Sequence, residues 1–284
     1  MKKIISVLSI LLAAGLSISA QNKKPSYEVY ALKYADLKTL SSVSGWAQGA
    51  SDKDSVKIVF MIWLIKGNDG RNILVDAGCA GDLPAAIDFG LVNYLRPDSA
   101  LLQLGLKAAD ITDIIISHPH WDHIDGITFF PKANIWIQKD DYDYFVGEAW
   151  QKDARHGGFV KKDILNLVDL NVSGRVTLVK GDNVEIIPGI KVYTGSRHTY
   201  NSQYAVVQSG KDNIVIASDN IWIYSNLDNL FPPPPYGTFD ATAYVAAMQR
   251  MKTLASKPEF IIPGHDDKLF SKFLKVSERI VRIK

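Results

Sequence analysis

From Ser26 onward, short apolar runs carry strand periodicity. "SYEVYALKYA" (26–35) alternates apolar and polar positions and predicts a strand. "VKIVFMIWLIKG" (56–67) is a longer β-rich run, and "NILVDAG" (72–78) is its return. "NDGR" between them, with Asp-Gly at its centre, predicts a hairpin. "DIIIS" (113–117) is short and apolar, as expected of a strand covered on both faces. "ANIWIQ" (133–138) predicts another strand. Leu101, Leu102 and Leu104 lie on or near one face, so Asp98–Ala109 predicts a helix capped by Asp98 or Ser99. "KDDYDYFVGEAW" (139–150) reads as helical with an aromatic load.

A second β-rich block follows: "RVTLVKG", "VEIIPGIKVYTG", "QYAVVQSG" and "NIVIAS", with "GKDN" marking a hairpin. "FPPPPYG" (231–237) predicts a rigid extended loop, since its prolines exclude helix and sheet interior. Asp240–Ser256 predicts a helix with Asp240 as N-cap, and "EFIIPGH" (259–265) a strand followed by a loop. From about Asp267 to Arg282 the spacing of Phe270, Phe273, Leu274, Ser277 and Val281 predicts an amphipathic helix. Hairpins and helices, twice over, predict an α/β fold of two βα halves, sheets packed together and helices outside.

Composition narrows this picture. The chain has 284 residues, 47% hydrophobic and 22% charged, with net charge +2. That supports a large core, and no basic stripe asks for a nucleic-acid partner. Residues 1–20 do not fit the fold. "MKK", the apolar "IISVLSILLAAGL" and the small-residue end "SISA" form a secretory signal, with cleavage expected after Ala20. Residues 21–284 then form one domain, periplasmic or secreted, with no stable membrane anchor after cleavage. The lone cysteine, Cys79, excludes an intramolecular disulfide and is expected as a small buried apolar residue.

The candidate chemistry sits in "SHPHWDHIDG" (117–126), which holds three of the chain's six histidines. In an extended segment His118 and His120 project the same way, and Pro119 argues against a helix there. Asp122 and His123 lie one bend further on. Imidazoles and a carboxylate this close suit a divalent cation, zinc first; without cysteine nearby, an open catalytic site is expected rather than a structural one. His198 follows the strand "KVYTG", His265 follows "EFII", and Asp219 ends "IVIASD". Strand ends that all finish in a potential ligand predict two metals sharing a carboxylate. His156 fits no strand end and is expected at the surface. Asp125 is expected to hold the turn before Gly126.

"HPHWDH" resembles the H-x-H-x-D-H motif of the metallo-β-lactamase superfamily. "LVDAG" (74–78), "GSRHT", "ASD" and "PGHD" resemble its flanking motifs, in order. The resemblance runs from about Tyr27 to Lys284. It implies a four-layer αβ/βα sandwich, two mixed sheets with outer helices, and metals at the edge between the halves. By matching position, one metal takes His118, His120 and His198, the other takes Asp122, His123 and His265, and Asp219 bridges them. Asp76 matches an aspartate that supports the ligand loop by hydrogen bonds. True zinc β-lactamases usually carry Cys where Asp219 stands, and redox diiron relatives replace the second His. The glyoxalase II and N-acyl-homoserine lactonase types keep all seven ligands, and "GHD" and "HT…SQY" look closer to the lactonases. Those commonly have a tyrosine three residues after the bridging Asp; here Trp222 holds that place, with Tyr224 two further on.

The implied activity is hydrolysis of a small ester-like carbonyl, a lactone first, by a hydroxide shared between two ions, zinc with iron or manganese as alternatives. Asp122 would carry the proton. Trp222 or Tyr224 could orient the substrate oxygen. Aromatics from "YDYFVGEAW" (Tyr142, Phe145, Trp150) or from the Pro-rich loop could wall the site, although the first group also fits a helix's core face. Thioester hydrolysis stays open. Arg197 and Lys268, the basic residues nearest His198 and His265, keep a phosphodiesterase or sulfatase open. A non-catalytic metal-binding protein is the remaining class.

Overall fold

The computed structural model describes residues 26–284. The expected export signal over residues 1–20 lies outside the described residues.

Two sheets carry the fold. The larger has nine strands. Along it run Leu274–Lys275, Ile280–Arg282, Tyr27–Leu37, Val59–Gly67, Asn72–Val75, Asp113–Ile115, Asn134–Gln138 and Val176–Val179, while Leu91–Val92 pairs with Tyr27–Leu37 off this path. The smaller has five: Val184–Ile187, Ile190–Tyr193, Tyr204–Ser209, Asp212–Ser218 and Ile261–Pro263. Both are mixed; Asn72–Val75 pairs parallel with Asp113–Ile115, and Asp212–Ser218 parallel with Ile261–Pro263.

Period-two alternation explains how the sheets stack. Val29, Ala31, Met61, Trp63, Ile73 and Val75 face Ala205, Val207, Ile214, Ile216 and Ile262 in one buried cluster between the sheets. The intervening residues Tyr30, Leu32, Ile62, Leu64 and Leu74 point the other way, under the helices of the first half. On the smaller sheet Val206, Val215 and Ala217 meet Tyr244, Ala247, Met248 and Met251 of the helix Ala241–Leu254. Helices, sheet, sheet, helix: this is the four-layer αβ/βα sandwich. A strand covered on both faces has no polar face to show, hence the unbroken run Val59–Ile65.

The predicted hairpin forms, with Trp63 opposite Val75 and Lys66 opposite Asn72. Asp240 caps its helix by accepting from Ala243 N–H at 3.0 Å. Three expectations change. The predicted helix over 98–109 is only Pro97–Leu101 plus short 3-10 turns, because Gly105 turns left-handed (φ +73°). Val176–Val179 joins the larger sheet, beside Asn134–Gln138, not the second block. The predicted C-terminal helix is wrong: Leu269–Lys272 is one turn, and Ile280–Arg282 is a strand paired with Tyr27–Leu37. There Ile280 and Val281 fall on opposite faces, each in a different buried cluster. A free sheet edge and alternating β-branched residues outweigh a weak helical spacing.

Candidate metal centre

Strand ends converge at one edge of the sandwich. Asp113–Ile115 leads into Ser117 and His118. Pro119 keeps the chain extended, His120 takes the N-cap position, and one helical turn, Trp121–Ile124, carries Asp122 and His123. His198 follows Ile190–Tyr193, Asp219 follows Asp212–Ser218, and His265 follows Ile261–Pro263. Ligands beyond the carboxyl ends of strands are where open α/β sheets build sites.

The donors fall into two groups. His118, His120, His198 and Asp219 offer atoms within 4.8 Å of one another, and so do Asp122, His123 and His265. His198 Nε2 stands 3.2 Å from both His118 Nε2 and His120 Nδ1. Asp219 faces both groups. Its Oδ2 lies 3.4 Å from His198 Nε2, and its Oδ1 lies 2.9 Å from His265 Nε2 and 3.4 Å from His123 Nε2. Asp122 Oδ2 is 3.1 Å from His123 Nε2 and 3.7 Å from His265 Nε2.

Outer partners set which ring nitrogen faces inward. His123 Nδ1 pairs with Asp76 Oδ2 at 2.8 Å, His198 Nδ1 with Gly237 O at 2.7 Å, and His265 Nδ1 with Val59 O at 2.9 Å. His118 Nδ1 sits 2.8 Å from Ser117 Oγ. In the neutral, metal-binding form of each ring, Nε2 is thereby the nitrogen whose lone pair faces the centre. Asp76 also accepts from Ser117 N–H at 2.8 Å, Ser117 Oγ at 2.9 Å and Ser218 Oγ at 2.7 Å. It ties the ligand loop to the neighbouring strand ends.

The donor set fits divalent cations. His123 Nε2 and Asp219 Oδ1 are buried, and none of their close neighbours stands in hydrogen-bond geometry, a costly state for polar atoms. Three inward lone pairs within reach of one another repel unless a cation lies between them. Burial and the neighbouring imidazoles hold His118 well below its ordinary pKa, and burial and His198 bring His120 down to about 3. Both are neutral at pH 7, the form that binds metal. Burial pushes Asp219 up, but the His265 and His123 charges outweigh it and keep the carboxylate ionised. His123 goes the other way: burial lowers it, and the Asp122, Asp219 and Asp76 carboxylates raise it well above its usual value.

The centre floors a cavity of about 610 Å³. Trp46, Phe60, Phe89, Trp121, Trp222 and Tyr236 wall it, and no Lys or Arg is among its lining residues. The Pro-rich loop thus contributes, through Tyr236 and Gly237. The "YDYFVGEAW" aromatics do not: Tyr142 and Phe145 are core, and Trp150 stacks on His156 at the surface. Trp46, Phe60 and Phe89 escaped sequence reasoning; only an aromatic in the Ser/Gly-rich "SSVSGWAQG" hinted at Trp46.

Five smaller expectations resolve here. Asp125 holds its turn by accepting from Ala80 N–H at 2.7 Å and pairing with Lys162. Cys79 is buried, and burial pushes its thiol well up. Tyr224 does not line the cavity: it opens the helix Tyr224–Asn229, and its ring packs in the buried cluster between the sheets. Trp222 lines the cavity, but its indole N–H donates to Asp219 Oδ2 at 2.8 Å instead of standing free. Nor do Arg197 and Lys268 serve the cavity. Arg197 lies over the Tyr200 ring and bonds to its carbonyl, and Lys268 lines a separate surface hollow beside Asp267.

The Metallo-beta-lactamase superfamily profile matches residues 61–265. The chain belongs to that superfamily. An N-acyl homoserine lactonase of Bacillus sp is 26% identical over 178 residues, 62% of each chain, so the match spans under two thirds of that relative's length. The fold is shared with a crystal structure of a quorum-quenching N-acyl homoserine lactone lactonase (TM-score 0.66, 20% identity, 86% of this chain and 94% of that one). It is shared too with AidC, a dizinc quorum-quenching lactonase in complex with a product (TM-score 0.62, 19% identity, 86% and 88%).

Proposed function

We propose that the chain is a dinuclear metal-dependent hydrolase that opens a small uncharged ester, a lactone first of all. The observation that carries this reading is Asp219, with one carboxylate oxygen turned to each donor group on the floor of an aromatic cavity. The activity named for the relatives supports the lactone.

His118, His120 and His198 would hold one cation, Asp122, His123 and His265 the other, and Asp219 both. Zinc suits this nitrogen and oxygen set first, with iron or manganese compatible. Such ions supply Lewis acidity toward a carbonyl oxygen and lower the pKa of water toward about 7. The chain's own groups do the rest. Asp76, Gly237 O and Val59 O fix the imidazoles, and Trp222 N–H fixes Asp219. The aromatic wall takes the apolar part of the substrate and excludes water. Asp122 takes the proton of the attacking water as its oxygen bonds to the acyl carbon. The acyl–oxygen bond then breaks, its electron pair stays on the ring oxygen, and Asp122 returns the proton there to give a hydroxy acid.

A glutathione thioester brings carboxylates beyond its reacting carbonyl into a cavity where no described residue offers a cationic side chain, and a phosphodiester or sulfate ester is not the activity named for the relatives, so these readings rank below the lactone. The open cavity over the donors disfavours a purely metal-storing protein. The test is a panel: zinc-loaded protein with acyl-homoserine lactones, simple lactones, a glutathione thioester and bis-nitrophenyl phosphate. Lactone turnover that Asp122→Asn lowers by about a hundredfold or more is expected. A strong thioester preference, or no turnover of any substrate, overturns the proposal. Residues 1–20 are read as an export signal, which assigns the mature chain to the periplasm or the exterior.

A further inference from the structure

Two loops flank the three-histidine half of the centre, and one side chain joins them. The first, residues 155–159, presses on His120. Gly158 has φ +83°, and a Cβ there would stand 2.6 Å from His120 Cδ2. Its carbonyl accepts from Trp121 N–H at 2.9 Å. The second loop, residues 235–239, holds His198. Gly237 O accepts from His198 Nδ1 at 2.7 Å, while Thr238 Oγ1 at 2.9 Å and Phe239 N–H at 2.7 Å both donate to Arg197 O.

Arg155 spans the gap. Nη1 donates to Thr238 O and Nη2 to Pro235 O, each at 2.8 Å. The guanidinium lies 4.4 Å from the Phe239 ring centroid. Its own backbone is pinned by Tyr144, whose hydroxyl donates to Arg155 O at 2.9 Å and lies 3.1 Å from Arg155 N. The Tyr144 ring stacks on Tyr200 at 4.7 Å, two residues past His198.

We propose that Arg155 is a positioning residue for the three-histidine subsite. It sets the spacing of His120 and His198, whose inward nitrogens stand 3.2 Å apart, by clasping the two loops behind them. This rests on the two-cation reading above. A planar fork reaches two carbonyls while its face stacks on an aromatic ring; a lysine, as a point charge, does not. The imidazoles of the other subsite have their own outer partners, Asp76 and Val59, so loss of the clasp acts first on the three-histidine half.

The test compares wild type, Arg155→Met and Arg155→Lys, each zinc-loaded. Zinc release to a chelator and amide exchange of the metal-free proteins are measured. In Arg155→Met one of the two zinc ions leaves about tenfold or more faster, in line with the loss of other outer supports. Exchange rises together in 155–159 and 235–239 and stays unchanged in 72–78. Arg155→Lys, which keeps the charge and one hydrogen bond, falls between. Wild-type release and exchange in both variants overturn the clasp. Wild-type protein that binds no zinc overturns the functional reading and, with it, the clasp's role in metal positioning; the exchange data then decide only whether Arg155 ties the loops.

Discussion

The Trp222 indole N–H donates to Asp219 Oδ2 at 2.8 Å, so a residue that lines the cavity also holds the carboxylate between the two donor groups. Trp222→Phe keeps an aromatic ring against Trp46, 5.2 Å away, while it removes the donor and leaves the ring smaller. A hydrogen bond to a charged group contributes about 1.5–3 kcal/mol, so zinc affinity is expected to fall by about tenfold to a hundredfold. Competition with a chromogenic chelator measures it. Unchanged affinity removes this role from the indole.

Asp76 offers a cleaner test of outer support. It adopts φ +61°, a left-handed conformation that Asn also tolerates, so Asp76→Asn leaves the backbone at ease. The amide nitrogen then faces donors on Ser117, Ser218 and His123. Metal affinity is expected to drop by about 10–100-fold. Isothermal titration with zinc reads this directly, and a wild-type isotherm contradicts it.

Gly126 closes the ligand loop. Its N–H donates to Gly78 O at 2.8 Å, and a Cβ there would lie 2.2 Å from Ala77 O, a backbone atom that has no room to yield. Gly126→Ala is expected to lower stability by about 1–3 kcal/mol or more. Urea unfolding checks this; a midpoint equal to wild type refutes the close approach.

Asp141 links the His198 loop to the helix Lys139–Val146 by accepting from Thr199 Oγ1 at 2.6 Å and Asn201 N–H at 2.9 Å. Burial pushes its carboxyl up to about 6, only partly offset by those two bonds. The folded chain therefore holds this proton more tightly than the unfolded chain. The stability it contributes is complete below about pH 4 and is lost as pH rises to about 6. Asp141→Asn keeps both contacts and does not titrate. Its stability relative to wild type is expected to climb between pH 4 and 6 and stay level above, by up to ~3 kcal/mol. A pH-independent difference contradicts the raised value.

The proposed export signal makes a separate prediction. Protein recovered from outside the cytoplasm should begin at Gln21 by N-terminal sequencing. Recovery there with Met1 retained contradicts cleavage after Ala20.

The metal centre was unusually legible in the sequence. Its donors are isolated polar residues ending apolar strands, and such residues have few other reasons to be there. His118, Asp219 and His265 stand out on that ground alone. The cavity wall was not legible, because Trp46, Phe60 and Phe89 come from three elements that only the folded chain brings together. Phe60 in particular reads as one more apolar strand residue. The C-terminal strand was lost for a similar reason. Its partner, Tyr27–Leu37, lies at the other end of the described chain, and no local pattern reports a free sheet edge. Tyr224 failed on direction: Trp222 and Tyr224 are two residues apart, yet the chain enters the helix Tyr224–Asn229 between them and turns the tyrosine ring into the core.

Asp219 is the residue on which the two-metal account stands. Zinc content per folded chain, measured by elemental analysis on wild type and Asp219→Ala, tests it most directly. The account predicts two zinc ions in wild type and one or none in the variant. Equal zinc content in both proteins contradicts it.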